Sequence, residues 1–198
     1  IIPMCDDFIA ICGTYWMKNL KKSIFKIWKK KITQIDLGLD INQYPFVKEK
    51  FNKIGERKFL YIGNDYSYNN FAKNLNYLGD IIDKVGSKKF ATIGNKYIHN
   101  VKHYGWIDFK EKKNHKLIKK YDFLIHTSNF DANPSTVLEG ISWGIIPIIT
   151  KQCGYEGFDK IMYIPLNNVS KAIKKINFLQ NLNTKKLKNL QKINHQIL

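Results

Sequence analysis

The sequence predicts an α/β fold in which a mostly parallel sheet carries helices on both of its faces. Between residues 58 and 166, short apolar runs of strand length alternate with segments whose apolar residues recur at helical spacing. Three of these runs end at a glycine (Gly63, Gly94 and Gly105), as strands do where they turn into a loop. The chain of 198 residues is long enough for one sizeable core, and its hydrophobic content of 44% is ordinary for a globular protein.

The first part of the chain predicts a strand within residues 6–14, a helix over 15–31 and a strand over 31–37. A Gly-Leu-Asp turn at residues 38–40 follows. Along the helix, apolar residues recur every three or four positions and lysines surround them. Two interpretations stay open: the helix packs against a core with a solvated basic face, or its tryptophans and Phe25 touch an anionic membrane surface.

The remaining elements follow the same alternation of strand and helix. Strands are predicted over residues 58–62, 89–93, 101–104, 123–126, 145–149 and 163–165. Helices are predicted over residues 71–85, 110–120, 134–143, 169–178 and 184–198. Strands that are joined through helices pair in parallel, because the helix returns the chain to the same edge of the sheet.

Residues 121–150 carry the main functional signal. An apolar strand is followed by a polar loop, and Pro134 marks the start of a helix that ends before Gly144. Asp131 lies in the loop and Glu139 lies on the helix. Ligands of open α/β sheets bind at the carboxyl ends of the strands, and a helix start suits a phosphate. A carboxylate one or two turns into that helix could accept hydrogen bonds from the two adjacent hydroxyls of a ribose.

This stretch resembles the C-terminal half of glycosyltransferases of the GT-B fold, in the large retaining, family-four-like group. Their motif is an acid, seven residues, a glutamate, a segment of small residues, Gly-x-Pro and an apolar strand. Here it reads Asp131, ANPSTVL, Glu139 and GISWGIIPIIT, with aspartate in place of the usual first glutamate. The resemblance implies that residues 46–198 form a Rossmann-like, doubly wound nucleotide-sugar-binding domain. It assigns residues 1–45 to a remnant of the N-terminal domain and the interdomain linker.

By this resemblance, the protein is a hexosyltransferase-like enzyme that moves a sugar from a UDP- or GDP-sugar to a glycan or lipid-linked acceptor with retention. Glu139 would hold the ribose hydroxyls and Asp131 would contact the donor sugar, as the two catalytic residues. The backbone N–H groups of Asn133, Ser135 and Thr136 would bind sugar or diphosphate. The family usually needs no metal, so the donor is expected without a separate cofactor. Most of the acceptor-binding domain would lie outside this chain, so the enzyme is expected to be incomplete.

The loop after the strand at 58–62 departs from the family pattern. In the family, the position of Gly63 opens a loop that carries an arginine and then a lysine, both directed at the donor phosphates. Here the loop from Asn64 to Asn70 contains neither cation, and asparagine can hydrogen-bond a phosphate without neutralising its charge. Lys73, one turn into the following helix, is the substitute that the sequence offers, and a solvated surface lysine is the alternative.

Trp106 and Ile107 follow the strand over residues 101–104, where the family often has a Gly-apolar pair near the nucleotide base. Backbone groups of both residues could read the edge of the base, and the indole could close the pocket. The alternative is that Trp106 belongs to the core.

The chain is strongly basic, with 33 Lys and Arg against 16 Asp and Glu and a formal net charge of +17. This charge attracts anionic partners such as nucleotide diphosphates, acidic membranes and nucleic acids. Cys5, Cys12 and Cys153 contain no C-x-x-C pair, and the histidines show no metal-ligand spacing, so no metal site is predicted. We expect a cytoplasmic protein with reduced thiols and a peripheral contact with an anionic membrane.

Three other functions stay open. A degenerate, non-catalytic GT-B domain would explain the missing loop cations. A nucleotide-sugar epimerase would share the architecture, but the acids and histidine characteristic of that class do not align here. A basic domain that binds nucleic acid or a membrane would fit the charge. Because the lysines are spread along the chain without a recognisable nucleic-acid-binding motif, no nucleic-acid partner is expected.

Overall fold

The structure is a computed structural model that describes residues 2–64, 70–158 and 160–198. The middle of the loop from Asn64 to Asn70, where the sequence lacks the two family cations, lies outside the described residues. No helix among the described residues is both long enough and apolar enough to span a membrane.

The described strands form two parallel sheets. The smaller sheet pairs β1 (Phe8–Ile11) with β2 (Ile32–Ile35). The larger sheet contains β3 (Phe59–Ile62), β4 (Phe90–Ile93), β5 (Lys102–His103), β6 (Phe123–His126), β7 (Ile146–Ile149) and β8 (Met162–Tyr163). Each of its neighbouring pairs is parallel. Residues of β3, β4, β6 and β7 are buried throughout, as expected for a parallel sheet that is covered on both faces.

The order of strands in the larger sheet is β5-β4-β3-β6-β7-β8. Counted from β3 along the chain, this is the order 3-2-1-4-5-6 of a Rossmann fold. The strand order therefore reverses between β3 and β6, and this reversal is the switch point at which such sheets bind their ligands.

Helices cover both faces of the larger sheet. The α-helices are α1 (Thr14–Lys22), α2 (Asn70–Lys73), α3 (Leu75–Val85), α4 (His115–Ile118), α5 (Ser135–Trp143), α6 (Val169–Asn181) and α7 (Thr184–His195). One hydrophobic core contains buried side chains of α3, α6 and α7, and a second contains those of α4 and α5. The predicted Rossmann-like, doubly wound α/β fold is confirmed. The division of the chain at residue 45 stays a prediction.

Several predicted helices are shorter in the structure because their backbone turns at a polar residue. The predicted helix over 15–31 ends at Ser23, whose hydroxyl donates to the Leu20 carbonyl and accepts from the Phe25 N–H, and a 3₁₀ segment follows over Ile24–Lys31. No residue of α1 or of this 3₁₀ segment is fully buried, but the half-buried Trp16 packs against Phe130, and the two interpretations of this segment stay predictions. The predicted helix over 110–120 is reduced to a 3₁₀ turn and α4.

A buried ion pair fixes the edge of the sheet at which β3 and β6 begin. The Lys48 Nζ atom lies 2.9 Å from Asp122 Oδ1, and the two side chains are 1% and 0% exposed. Asp122 also accepts hydrogen bonds from the backbone N–H groups of Asn52, at 2.8 Å, and Lys58, at 2.9 Å. Burial lowers the pKa of Lys48, and the nearby Asp122 carboxylate opposes this change. One carboxylate therefore joins residues 48–52 to the starts of two neighbouring strands.

We expect Asp122→Ala to reduce the free energy of unfolding by about 3–5 kcal/mol, because it leaves the Lys48 ammonium buried without its partner. Urea denaturation of both proteins measures this difference. Asp83→Ala, which removes an exposed carboxylate from α3, is the control and should change stability by less than about 0.5 kcal/mol. A loss in Asp122→Ala no larger than that of the control would show that the ion pair is dispensable.

Candidate functional site

A crevice lies at the switch point of the larger sheet. β3 and β6 pair only through Phe59 with Phe123 and Leu60 with Leu124. By contrast, β3 pairs with β4, and β6 with β7, over all four residues. The two central strands therefore separate toward their carboxyl ends, which is where the loops after Ile62 and His126 begin.

Glycines allow the loops on one side of this crevice to pack closely. Gly94 has φ +127°, and a Cβ atom there would lie 2.0 Å from the Gly63 carbonyl oxygen. The Gly63 N–H donates to the Ile93 carbonyl at 3.0 Å. Gly63 and Asn64, both predicted site residues, thus lie where β3 ends at the crevice, and the Asn64 side chain is exposed.

Lys73 and Asp131 form an ion pair across the loops that follow β3 and β6. Lys73 Nζ lies 2.5 Å from Asp131 Oδ2, and the side chains are 19% and 15% exposed. The Asp131 backbone is held in place because its N–H donates to the Gln152 carbonyl and its own carbonyl accepts from the Trp16 indole. Lys73 is thus mostly buried against Asp131 rather than solvated at the surface, and its role toward the donor phosphates stays a prediction.

The position of Lys73 follows from a break in the predicted helix over 71–85. Asn74 adopts a left-handed conformation, with φ 53°, and separates α2 from α3. The loop after β6 contacts carbonyl groups at this break: the Asn129 N–H donates to Ala72 at 2.9 Å, and the Thr127 hydroxyl donates at 3.3 Å to Asn74, whose carbonyl also accepts from the Leu78 N–H of α3. These bonds bring the end of α2 against the loop that carries Asp131.

The start of α5 presents hydrogen-bonding groups beside Asp131. Asn133 is 4% exposed, has a left-handed backbone with φ 63°, and donates its side-chain N–H to Asp36 at 3.2 Å. Its backbone N–H donates to the Cys153 carbonyl at 3.2 Å, so it is not free for the sugar or diphosphate as predicted. Ser135 and Thr136 are the first residues of α5, where backbone N–H groups have no acceptor within the helix. Asn133 Oδ1 and Thr136 Oγ1 are buried and have no partner within the described part of the chain. The Thr136 hydroxyl and the N–H groups of the helix start can donate to an anionic ligand, whereas Asn133 Oδ1 can only accept, as from a sugar hydroxyl.

Glu139 lies in the second turn of α5 and is half-buried. Burial raises the pKa of its carboxyl group, while a hydrogen bond with Ser135 opposes the change. The pKa of the Tyr44 hydroxyl is raised by burial and, in addition, by the charges of Glu139 and Asp108. Both Tyr44 and Phe109 pack against Trp143, at the end of the helix that carries Glu139.

Trp106 and Ile107 lie after β5, two strands away from the crevice. The Trp106 side chain is 76% exposed, so its assignment to the core is wrong. Ile107 is partly buried and packs against the second core. Phe109, two residues after Ile107, packs against Trp143 of α5 with ring centroids 4.6 Å apart. The structure thus brings this segment to α5 through Phe109 and leaves the Trp106 indole at the surface.

Two residues beside the site, Asp36 and His126, were not singled out by the sequence. Asp36, after β2, holds the Asn133 side chain. His126, the last residue of β6, is 1% exposed, and its Nδ1 atom lies 2.9 Å from Ser128 Oγ and 3.8 Å from Cys153 Sγ. Burial lowers the pKa of His126 to about 4, with Asp131 raising it and Lys73 lowering it further. The position of His126 at the end of an apolar strand was the only available hint.

Comparisons with known proteins agree on the fold. No protein-family model matches the sequence, and no curated protein matches it. Among solved structures, a glycosyltransferase from Rickettsia africae has a TM-score of 0.69 at 14% identity over 96% of this chain and 57% of its own. Sucrose-phosphate synthase from Thermosynechococcus elongatus has a TM-score of 0.72 at 10% identity over 95% of this chain and 52% of its own. Anabaena HepE in complex with UDP-glucose has a TM-score of 0.68 at 14% identity over 98% of this chain and 58% of its own.

The chain thus has the fold of the Rossmann-like half of a GT-B glycosyltransferase, as the resemblance of residues 121–150 predicts. It spans a little more than half the length of each of these three structures.

The buried His126 predicts a pH-dependent stability. Its pKa is about 4 in the folded chain, against an ordinary value of 6.5, so the unfolded chain binds more protons between these values. Stability should therefore fall as the pH falls from 6.5 to 4, by about 3 kcal/mol from this group.

Urea denaturation of the wild type and His126→Gln over this pH range measures the effect. We expect the free-energy difference between the two proteins to change by about 3 kcal/mol in favour of the variant as the pH falls. His99→Gln, at an exposed histidine, should keep the pH dependence of the wild type. Parallel curves for the wild type and His126→Gln would show that His126 is not held neutral.

Proposed function

We propose that this chain is the donor-binding half of a hexosyltransferase-like glycosyltransferase. It would transfer a sugar from a UDP- or GDP-sugar to a glycan or lipid-linked acceptor with retention of configuration. The observation that carries the proposal is the Lys73–Asp131 ion pair next to the start of α5, the helix that carries Glu139, at the end of the sheet where β3 and β6 separate. The structure of Anabaena HepE with UDP-glucose supports a nucleotide sugar as the donor class.

The diphosphate would lie at the start of α5. The N–H groups of Ser135 and Thr136 and the positive end of the α5 dipole favour an anion there. Lys73 is within reach through its contact with Asp131, and it supplies the positive charge that the loop from Asn64 to Asn70 lacks by sequence. Gly63 and Asn64 would face the phosphates from the other side of the crevice.

The sugar and the ribose would lie on either side of the diphosphate. Asp131 is placed to accept hydrogen bonds from hydroxyls of the donor sugar, with Asn133 beside it. Glu139, one turn further along α5, would accept hydrogen bonds from the two ribose hydroxyls. The base would then extend toward Ile107, and the exposed Trp106 indole would pack on its outer side.

Charge stabilisation would accelerate the reaction. As the bond between the sugar and the diphosphate breaks, negative charge grows on the leaving phosphate, and Lys73 and the α5 N–H groups would stabilise it. The leaving phosphate would help to deprotonate the acceptor hydroxyl, and no metal ion or further cofactor would be required. The acceptor would approach across the interdomain cleft, at the cytoplasmic side of a membrane.

A degenerate donor-binding domain is the second candidate function. The absence of both cations between Asn64 and Asn70 favours it, because Lys73 then has to neutralise the diphosphate while it is already paired with Asp131. Donor binding would be weak in that case, and sugar transfer would be lost.

The first experiment is calorimetric titration with UDP, GDP and ADP on the wild type and Glu139→Gln. One nucleotide should bind selectively, and the variant should bind it about 10- to 100-fold more weakly, since the hydrogen bonds to a charged acceptor are weakened. Glu49→Gln, at an exposed carboxylate outside the site, should bind like the wild type. Equal affinities in wild type and Glu139→Gln would remove Glu139 from the site.

A second experiment tests Lys73 by comparing UDP with UMP. Because Lys73 is proposed to neutralise the diphosphate, Lys73→Gln should weaken UDP binding about tenfold or more and UMP binding much less. Lys84→Gln, an exposed lysine at the other end of α3, is the control. The double variant Lys73→Gln/Asp131→Asn should also bind UDP weakly. Recovery of wild-type affinity in the double variant would show instead that Lys73 only neutralises Asp131.

A further inference from the structure

The last part of the chain has charge of one sign only. Residues 160–198 contain no aspartate or glutamate and eight lysines: Lys160, Lys171, Lys174, Lys175, Lys185, Lys186, Lys188 and Lys192. All eight are exposed. The ion pairs found among the described residues involve none of the eight. Unlike Lys73 or Lys48, these lysines carry positive charge that the rest of the described chain does not neutralise.

The lysines surround two grooves with apolar floors, on either side of the edge strand β8. The first groove, of about 560 Å³, is lined by Tyr163, Ile164, Pro165 and Leu166 together with lysines of α6 and Lys151. The second, of about 810 Å³, is lined by Met162, Phe178, Leu182 and Leu190 together with lysines of α7. The Phe178 ring is 58% exposed between the two helices' lysines. We call the exposed surface of α6, α7 and β8 the cationic face.

We propose that the cationic face docks onto the surface of an anionic phospholipid membrane. Its lysines lie at helical spacing on each helix, at positions 171, 174 and 175 of α6 and at positions 185, 188 and 192 of α7. Each lysine near an anionic membrane surface strengthens binding about fivefold. Phe178 and the apolar residues that line the grooves can insert into the headgroup region of a membrane. A contact based on charge alone would not need these apolar residues.

The chemistry of this face favours a membrane over a nucleic acid. All of its cations are lysines, and the one arginine of the sequence, Arg57, is buried. Arginine supplies the bidentate contacts that recognise phosphate and guanine, and aromatic side chains supply stacking for unpaired bases. Phe178 alone provides exposed aromatic surface in the second groove, which is too little for a stacking platform.

Docking through this face would bring the membrane close to the candidate site. The first groove includes Pro165, whose carbonyl accepts a hydrogen bond from the Tyr77 hydroxyl at 2.5 Å. Two residues further on, Asn167 Oδ1 accepts from the Asn74 side chain at 2.9 Å, and Asn74 directly follows Lys73. An acceptor held in the membrane would thus lie beside the crevice. The docking proposal itself rests on charge and shape and is independent of the proposed sugar transfer.

Flotation with lipid vesicles tests the proposal on the whole chain. At low salt, the protein should bind vesicles of phosphatidylcholine with about 30% phosphatidylglycerol, fail to bind vesicles of phosphatidylcholine alone, and lose binding as salt is raised. The triple variant Lys171→Gln/Lys174→Gln/Lys175→Gln should bind the anionic vesicles at least about tenfold more weakly. Circular dichroism checks that each variant is folded.

A matched variant removes three exposed lysines from the opposite face of the sheet, around α4: Lys112→Gln/Lys116→Gln/Lys120→Gln. It has the same net charge as the α6 triple variant and should keep wild-type vesicle binding. Equal loss in both variants would show that net charge alone is responsible and would overturn the proposal. So would loss confined to a third variant, Lys21→Gln/Lys22→Gln/Lys26→Gln, or binding of an oligonucleotide in preference to the anionic vesicles.

Discussion

The buried ion pair between Lys48 and Asp122 stabilises the end of the sheet at which β3 and β6 begin. The candidate site lies at the opposite end, where these two strands finish. At the end of the sheet where β3 and β6 begin, the buried Asp122 joins Lys48, Asn52 and Lys58 in one network. Arg57, next to Lys58, adds a second anchor, because its guanidinium donates to the carbonyls of Leu179 and Gln180 at the end of α6. Because these contacts hold the strands together where they begin, β3 and β6 can separate toward their carboxyl ends while the fold is kept.

The charges of the candidate site are arranged differently from those of the molecule as a whole. The chain has a net charge of +17, yet the crevice contains one described cation, Lys73, against the carboxylates of Asp131 and Glu139. A polyanionic nucleotide would be attracted by the overall field and then bound by directed groups: the N–H groups of α5, Lys73 and the ribose acceptor Glu139. The surplus lysines lie elsewhere, among them the eight lysines of residues 160–198, which we propose to contact a membrane.

The sequence predicted the fold and the central unit of the site well, for physical reasons. Buried parallel strands are continuous apolar runs, and residues 123–126 and 145–149 differ from the observed strands by one residue at most. Pro134 and Gly144 mark the ends of α5 as predicted, with Gly144 in the left-handed conformation at φ 87°. Contacts between distant segments were beyond such reasoning. The hydrogen bond from Asn133 to Asp36 and the exposure of Trp106 depend on how the chain packs, which local patterns do not contain.

The helix break at Asn74 positions Lys73, the lysine closest in sequence to the loop that lacks the two cations of the family. In an uninterrupted helix over 71–85, the carbonyl of Ala72 would be occupied within the helix and could not accept from the loop after β6. The break frees this carbonyl for the N–H groups of Asn129 and Phe130. The same contacts place Lys73 against Asp131. Asparagine tolerates the left-handed conformation better than most residues, so a local backbone preference supplies the crevice with its cation. The departure of the 64–70 loop from the family pattern is thus accompanied by a lysine a few residues later, which the backbone at Asn74 holds at the crevice.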